Sequence, residues 1–239
     1  MQLFYIPDLD DDLVQLSPDE SRHCVRSLRM SAGDTLYITD GKGTLATGSI
    51  LSPDPKGCSV QISIRDHQPH RADYHLHLAI APTKNADRIE WLVEKAVEIG
   101  IDEITPLITH NTERTRLNHD RLEKIAISAM KQSLHTHLPV IHAETSYDDF
   151  IKQTPAAVKM ICHGHYDNPL TISQACPPAH DAVVVIGPEG DFTPEEIAQA
   201  DQSGFLPVTL GDSRLRTETA ALMVVCAINL INQTQPSKQ

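Results

Sequence analysis

The chain has 239 residues, a length for one large domain or for a small domain joined to a medium one; 40% hydrophobic and 22% charged residues allow an ordinary core and exclude a disordered chain. A formal net charge of -12 excludes binding to nucleic acid by general phosphate neutralisation, so any such contact has to use a local basic surface. No apolar run of about 18 residues is present, Met1-Gln2-Leu3-Phe4-Tyr5 lacks a secretory pattern, and the five cysteines are odd in number and irregular in spacing. A cytoplasmic protein without disulfides or a membrane span is therefore expected.

In chain order, the first element is a helix from Ser17 as N-cap and Pro18 at its first position to about Met30. Three alternating stretches follow, Thr35–Ile38, Leu45–Ile50 and Ser59–Ile64, separated by Asp40-Gly41 and by Pro53-Asp54 to Gly57. They predict a small antiparallel β unit over residues 1–70. Asp66 to Asp73 is polar and reads as a linker. Over residues 71–239 the pattern changes to alternating strands and helices. Leu76–Ala81 and Ile104–Ile108 are strand-like. Ile89, Leu92, Val93, Ala96 and Val97 share a helical face that Gly100 ends, and Leu122, Ile125, Ala126, Ala129, Met130 and Ser133 share another. Val158–Ile161 and Ala182–Ile186 are strands, the second apolar throughout, as a parallel strand covered on both faces requires. The class is α/β.

Two loops concentrate the chemistry. Ile186 runs into Gly187-Pro188-Glu189-Gly190-Asp191-Phe192, after which Thr193, Pro194, Glu195 and Glu196 suit a helix start that stops at Gly204. Its glycines let backbone approach a ligand at a strand's carboxyl end; the residues alone equally allow an ordinary strand-to-helix turn. The spacing is neither a dinucleotide fingerprint nor a phosphate loop. Pro207–Gly211 is a second strand, followed by Asp212-Ser213-Arg214-Leu215-Arg216 and a helix with Thr217 as N-cap, running to about Asn232. That helix is apolar nearly all round and has to be covered on two sides, by the core and by another subunit. Arg214 and Arg216 are either surface charges beside Glu218 or functional groups.

Ile186–Phe192 (IGPEGDF) and Leu210–Ala220 (LGDSRLRTETA) resemble the signature loops of the ribosomal RNA small-subunit methyltransferase E family, which methylates uridine N3 in 16S ribosomal RNA and belongs to the SPOUT superfamily. Trp91, Lys95, Ala96, Glu98 and Gly100, the run Ala129-Met130-Lys131-Gln132-Ser133, and His23-Cys24-Val25-Arg26-Ser27-Leu28-Arg29 are similar to three further family elements. The match spans nearly the whole chain. Asp191 stands where many members have glycine, Lys131 where glutamate is common, and His135 where arginine is common.

The resemblance implies a PUA-like β-barrel domain at 1–70 and a SPOUT α/β domain with a deep trefoil knot at 71–239, working as a homodimer through the C-terminal helix. Physical reasoning alone would favour an unknotted sheet. It also implies an S-adenosyl-L-methionine site formed by Ile186, Gly187, Pro188, Glu189, Gly190, Leu210, Gly211, Leu215, Arg216, Thr217, Thr219 and Ala220; His163, which follows a buried strand, is expected to line it. The partner it implies is 16S ribosomal RNA or the small ribosomal subunit. Uridine N3 is a poor nucleophile until its proton leaves, so Arg216 is expected to stabilise the developing anion, with Glu218 or Glu189 accepting the proton or orienting Arg216. Arg22, His23, Arg26, Arg29, Lys84, Arg88, Arg114 and Gln132 are the expected RNA contacts, with Arg22, Arg26 and Arg29 on one helix face.

Cys162-His163-Gly164-His165 and His135-Thr136-His137 lack a second ligand pair at zinc spacing, and Asp10-Asp11-Asp12 lacks calcium-loop spacing, so no metal is expected. Trp91 lies off its helix's apolar stripe, open to contact with a base or to packing. Cys24 and Cys226 are read as small buried hydrophobes. The alternatives are an enzyme of the same superfamily acting on another RNA or nucleoside position, and a non-catalytic RNA-binding assembly factor with this fold.

Overall fold

The computed structural model describes residues 2–155, 157–165 and 169–233. Met1 and residues 234–239, the outer ends of the two expected domains, lie outside the described residues. The chain forms two units, Met1–Arg71 with Ile127–Leu138, and Ala72–Ala126 with Pro139–Gln239. The division expected at 70 and 71 thus lacked the returning segment Ile127–Leu138. That segment is fixed within the first unit by Gly43 N–H donating to Thr136 O at 2.9 Å and Leu138 N–H donating to Gly41 O at 2.8 Å. Helical periodicity shows that a face is buried, but not which unit buries it.

The first unit contains β1 (Leu3–Tyr5), β2 (Leu13–Gln15), α1 (Pro18–Arg22), β3 (Thr35–Thr39), β4 (Thr44–Ser52) and β5 (Ser59–His67). Its sheet order is β1-β3-β4-β5-β2, antiparallel except for β1 on β3. Leu36, Ile38, Ala46, Ile50, Val60 and Ile62 alternate into its core. β1 and β2 are only three residues each, too short to leave a periodic signal. β5 takes up the start of the expected linker; its second half is exposed and therefore polar in sequence.

Ser17 caps α1, its hydroxyl accepting from Glu20 N–H at 3.3 Å, with Pro18 at the first position as expected. The helix does not continue regularly to Met30. From His23 to Ser27 it widens into a π-helical turn, Leu28 N–H bonding His23 O at 3.0 Å, and Arg29 leaves in a left-handed conformation (φ 57°). Arg22, Arg26 and Arg29 consequently do not share one helical face.

The second unit contains β6 (Leu76–Ile80), α2 (Ala86–Ile99), β7 (Glu103–Ile108), the start of α3 (His119–Gln132), β8 (Val140–Ile141), β9 (Thr145–Ser146) and α4 (Tyr147–Gln153). Then come β10 (Val158–Cys162), β11 (Leu170–Thr171), α5 (Ile172–Ala175), β12 (Ala182–Ile186), α6 (Pro194–Gln202), β13 (Leu206–Thr209) and α7 (Thr217–Gln233). Its parallel sheet runs β11-β13-β10-β12-β6-β7-β8, with β9 also beside β7. Every residue of β12 is buried, which explains its uninterrupted apolar sequence. α2 buries Ile89, Leu92, Val93, Ala96 and Val97, and leaves Trp91 43% exposed.

α7 buries Ala221, Val224, Val225 and Ile228 but exposes Met223 and Leu230 at 44% and 59%. Thr217 is the first helical residue rather than the cap, because Ala220 N–H bonds Arg216 O at 2.8 Å. Cys24 is buried as expected, whereas Cys226 is only partly covered. β13, the last strand in sequence, lies between two earlier ones, β10 and β11. The loops after β12 and β13 are accordingly not on neighbouring strands; β10 stands between them.

Candidate cofactor and acceptor site

The carboxyl ends of β12, β10 and β13 surround a hollow of about 630 Å³. His163, Ile186, Gly187, Pro188, Glu189, Leu210, Gly211, Leu215, Arg216, Thr217 and Ala220 line it, as expected. Gly190 and Thr219 do not. Gly190 packs on Asn111, whose Nδ2 donates to Gly190 O at 3.1 Å and to Asp191 O at 3.0 Å. Thr219 faces an adjacent cleft.

Local chemistry fixes these loops. A Cβ on Gly187 would come within 2.9 Å of the Phe192 ring, which is buried and 5.6 Å from Tyr147, so the strand end has room only for glycine. Asp191 adopts the left-handed conformation (φ 60°) that aspartate tolerates better than most residues. Its Oδ1 accepts from Phe192 N–H at 2.8 Å and its Oδ2 from Gly164 N–H at 3.1 Å, tying the loop after β12 to the loop after β10. Thr193 caps α6 with a capping box: Glu196 Oε2 accepts from Thr193 N–H at 2.8 Å, while Oε1 takes His110 N–H at 2.8 Å. Across the hollow Gly211 has φ 102°, and its N–H donates to Thr209 Oγ1 at 3.2 Å.

Burial pushes the Cys162 thiol up to about 12, with Asp191 adding to the effect, so it is protonated and not a nucleophile at neutral pH. Burial also lowers His163 below the usual histidine range, against the opposing pull of Asp191, and its ring is neutral at pH 7.

Beside this hollow is a second one of about 570 Å³, lined by Asp87, Arg88, Trp91, Arg214, Leu215, Arg216, Glu218 and Thr219. Arg214, Leu215 and Arg216 therefore face both. Glu218 is buried; Arg88 Nε lies 3.6 Å from its Oε1, and its Oε2 has no hydrogen-bond partner among the described residues. Glu189 stays in the first hollow, exposed, with Oε1 3.4 Å from Lys84 N–H. The two candidate proton acceptors thus occupy different hollows.

The expected RNA contacts divide between the units. In the first, Arg26 and Arg29 are exposed, Arg22 pairs with Asp19, and His23 and Gln132 line a hollow of about 450 Å³ with Lys131. Lys131 is ion-paired with Glu20 at 2.5 Å. In the second, Lys84 pairs with Glu113 at 2.9 Å and Arg114 donates twice to Lys84 O, at 3.1 and 2.9 Å. Sequence reasoning missed Cys162, Gly164, Asp191, Val208, Thr209, Asp212, Ser213 and Arg214 as lining residues. The glycine after the strand ending at Cys162 was the available signal. It also missed a side-chain group able to ligate metal, His77, Glu103 and His142, whose members are too far apart in sequence to show a ligand spacing.

The sequence profile of the RNA methyltransferase domain family matches residues 70–229, and that of the RNA methyltransferase PUA domain matches 16–63. A ligand-sized hollow at the carboxyl ends of a parallel sheet, in a chain carrying this pair of domains, defines the class as RNA methyltransferases with a PUA domain. The chain is 29% identical to the ribosomal RNA small subunit methyltransferase E of Buchnera aphidicola subsp. Acyrthosiphon pisum, over 95% of this chain and 92% of that one. A crystal structure of a probable rRNA-methyltransferase from Porphyromonas gingivalis matches with TM-score 0.93 and 41% identity, over 98% of this chain and 99% of the other. The ribosomal RNA small subunit methyltransferase E of Neisseria gonorrhoeae, bound to S-adenosyl methionine, matches with TM-score 0.85 and 26% identity, over 97% and 98%. The chain is also 32% identical to the ribosomal RNA small subunit methyltransferase E of Mesomycoplasma hyopneumoniae, over 73% of this chain and 77% of that one, and it belongs to that family.

Proposed function

We propose that this protein methylates N3 of a uridine in 16S ribosomal RNA with S-adenosyl-L-methionine, as a cytoplasmic homodimer. The observation that carries the reading is the shared wall of the two hollows. Arg216 borders both the strand-end hollow and the cleft that holds Glu218 and Trp91. A donor in the first and a base in the second would meet at this residue.

The strand-end hollow fits the cofactor: about 630 Å³ lies inside the range of roughly 300–1,000 Å³ for small-molecule sites, and Gly187 and Gly211 keep its backbone accessible. Backbone groups at Gly187, Leu210, Gly211 and Leu215 hold adenine and ribose there. Bound S-adenosylmethionine supplies an electrophilic methyl on a positive sulfur. The protein's own part is to place uridine and remove its N3 proton. Arg88 lies beside one oxygen of Glu218 and leaves Oε2 without a partner among the described residues, a buried acceptor that costs about 1–3 kcal/mol and is suited to receive that proton. Arg216 stabilises the negative charge spreading to the uracil oxygens. Trp91, half exposed in the same cleft, offers a face for the base.

Arg26, Arg29, His23 and Gln132 of the first unit, with Lys84, Arg88 and Arg114 of the second, grip the RNA. The exposed Met223 and Leu230 of α7 support the dimer, and the position of β13 between β10 and β11 supports the knot. The test is single-turnover methylation of 16S ribosomal RNA, with mass mapping of the product. Arg216→Ala is expected to slow transfer about 10²–10³-fold at saturating cofactor. An unchanged rate removes Arg216 from the chemistry. A product at another nucleoside position overturns the N3 specificity, and no product from the wild type leaves the assembly-factor reading.

A further inference from the structure

At the opposite, amino end of the same parallel sheet is an open cleft of about 530 Å³, distinct from the methyl-transfer hollows, lined by His75, His77, Glu103, Thr105 and His142 among others. His77 and Glu103 are register partners on adjacent strands β6 and β7, so strand pairing itself places both side chains on one face. His142 follows β8 and is held to β7 by its N–H donating to Ile104 O at 2.9 Å. The side chains converge on one carboxylate oxygen: Glu103 Oε2 is 2.5 Å from His142 Nε2 and 3.7 Å from His77 Nδ1. The other oxygen, Oε1, is 3.0 Å from His75 Nε2.

We propose that His77, Glu103 and His142 form a binding site for a divalent transition-metal ion of the zinc class. Two imidazoles and one carboxylate make the donor set that such ions favour over magnesium or calcium. A tetrahedral ion with bonds of roughly 2.0–2.1 Å separates its ligand atoms by about 3.3 Å. The observed 2.5 and 3.7 Å bracket that spacing, and ligand atoms of all three residues lie within 4.8 Å of one another. The outer shell fits as well. His77 Nε2 lies 2.7 Å from Thr105 Oγ1, and an N–H donated there keeps the lone pair of Nδ1 towards Glu103. The ring is held edge-on against Phe150 at 5.3 Å. His142 and His75 are partly exposed, which gives an ion a route in and leaves a fourth position for water or His75. The ion would clasp β6, β7 and the segment after β8, stabilising the sheet at the end remote from methyl transfer.

The experiment uses the full chain, tag-free and stripped with chelator, titrated with Co²⁺ and then with Zn²⁺. One equivalent of Co²⁺ is expected to produce visible absorption bands that Zn²⁺ abolishes. Zinc at a hundredfold excess over its Kd should raise Tm by about 5 °C or more. Glu103→Gln and His142→Gln should each weaken Co²⁺ binding at least tenfold, whereas His165→Gln, in the stacked His163–His165 pair, should not. Metal-free Tm values identify any variant that fails to fold, and the conservative Glu103→Gln guards against that outcome. Absence of the bands, equal Co²⁺ affinity in Glu103→Gln, or loss of binding only in His165→Gln overturns the site.

Discussion

The two ends of the parallel sheet present different chemistry. At the carboxyl end the strands run into glycine-containing loops, and the hollow there is shaped largely by backbone: Gly187 against Phe192, Asp191 bridging to Gly164, Gly211 in a conformation that favours glycine. At the amino end the cleft is defined by side chains, of which His77 and Glu103 are set opposite each other by strand register. A loop can enclose a large organic ligand because it adapts its path. A ladder of paired strands holds a few donor atoms at fixed separation, which suits a small ion. One sheet thus supports two kinds of site because its ends differ in what is free to move.

This contrast can be broken by experiment, and the largest effect is expected where a side chain does chemistry at the carboxyl end. Glu218→Gln should reduce the single-turnover methylation rate by about 10²–10⁴-fold. Cofactor affinity measured by calorimetry should change little, because Glu218 lies in the adjacent cleft rather than the strand-end hollow. Equal loss in rate and affinity would place Glu218 in the cofactor site and dissolve the separation between the two hollows.

A smaller effect tests whether backbone shape governs the cofactor hollow. Gly187→Ala forces its Cβ against the Phe192 ring and should cost about 1–3 kcal/mol of stability, with weaker cofactor binding. Urea unfolding and calorimetry check both. Wild-type stability and affinity in this variant would show that the ring yields freely and that the loop is not shaped by this contact.

The smallest effect is a pH dependence. Burial lowers the native His163 below 6.5, so the unfolded chain binds its proton first as pH falls. The stabilisation from a neutral His163 is complete above pH 6.5 and is lost as pH drops towards the lowered native value. His163→Gln should therefore lose less stability than wild type between pH 7 and pH 5, measured as the shift in urea midpoint. Parallel shifts in the two proteins would mean that His163 does not carry this part of the acid sensitivity.

Much of the second unit was legible because its strands and helices each carry a strong local pattern. Ala182–Ile186 is apolar throughout, Thr193-Pro194 with Glu196 is a complete helix start, and Gly100 and Gly204 both end helices with positive φ. The loops IGPEGDF and LGDSRLRTETA supply most of the wall of the strand-end hollow, as far as Ala220. Less was legible where structure depends on a partner distant in sequence. β1 and β2 exist because longer strands pair with them, and the π-helical turn after Arg22 displaced Arg29 from the face it would share with Arg26.

By itself the sequence determined the types of the longer strands and helices and the two loops, since propensity, capping and periodicity act over a few residues. Tertiary structure alone decided that β10 separates the two loops, so that Cys162 and Gly164 join His163 in the wall of the strand-end hollow. It also decided that Ile127–Leu138 completes the first unit and that His77, Glu103 and His142 meet. Strand order and register set these neighbours, and both follow from burial of the whole sheet, a property that no short window of residues contains.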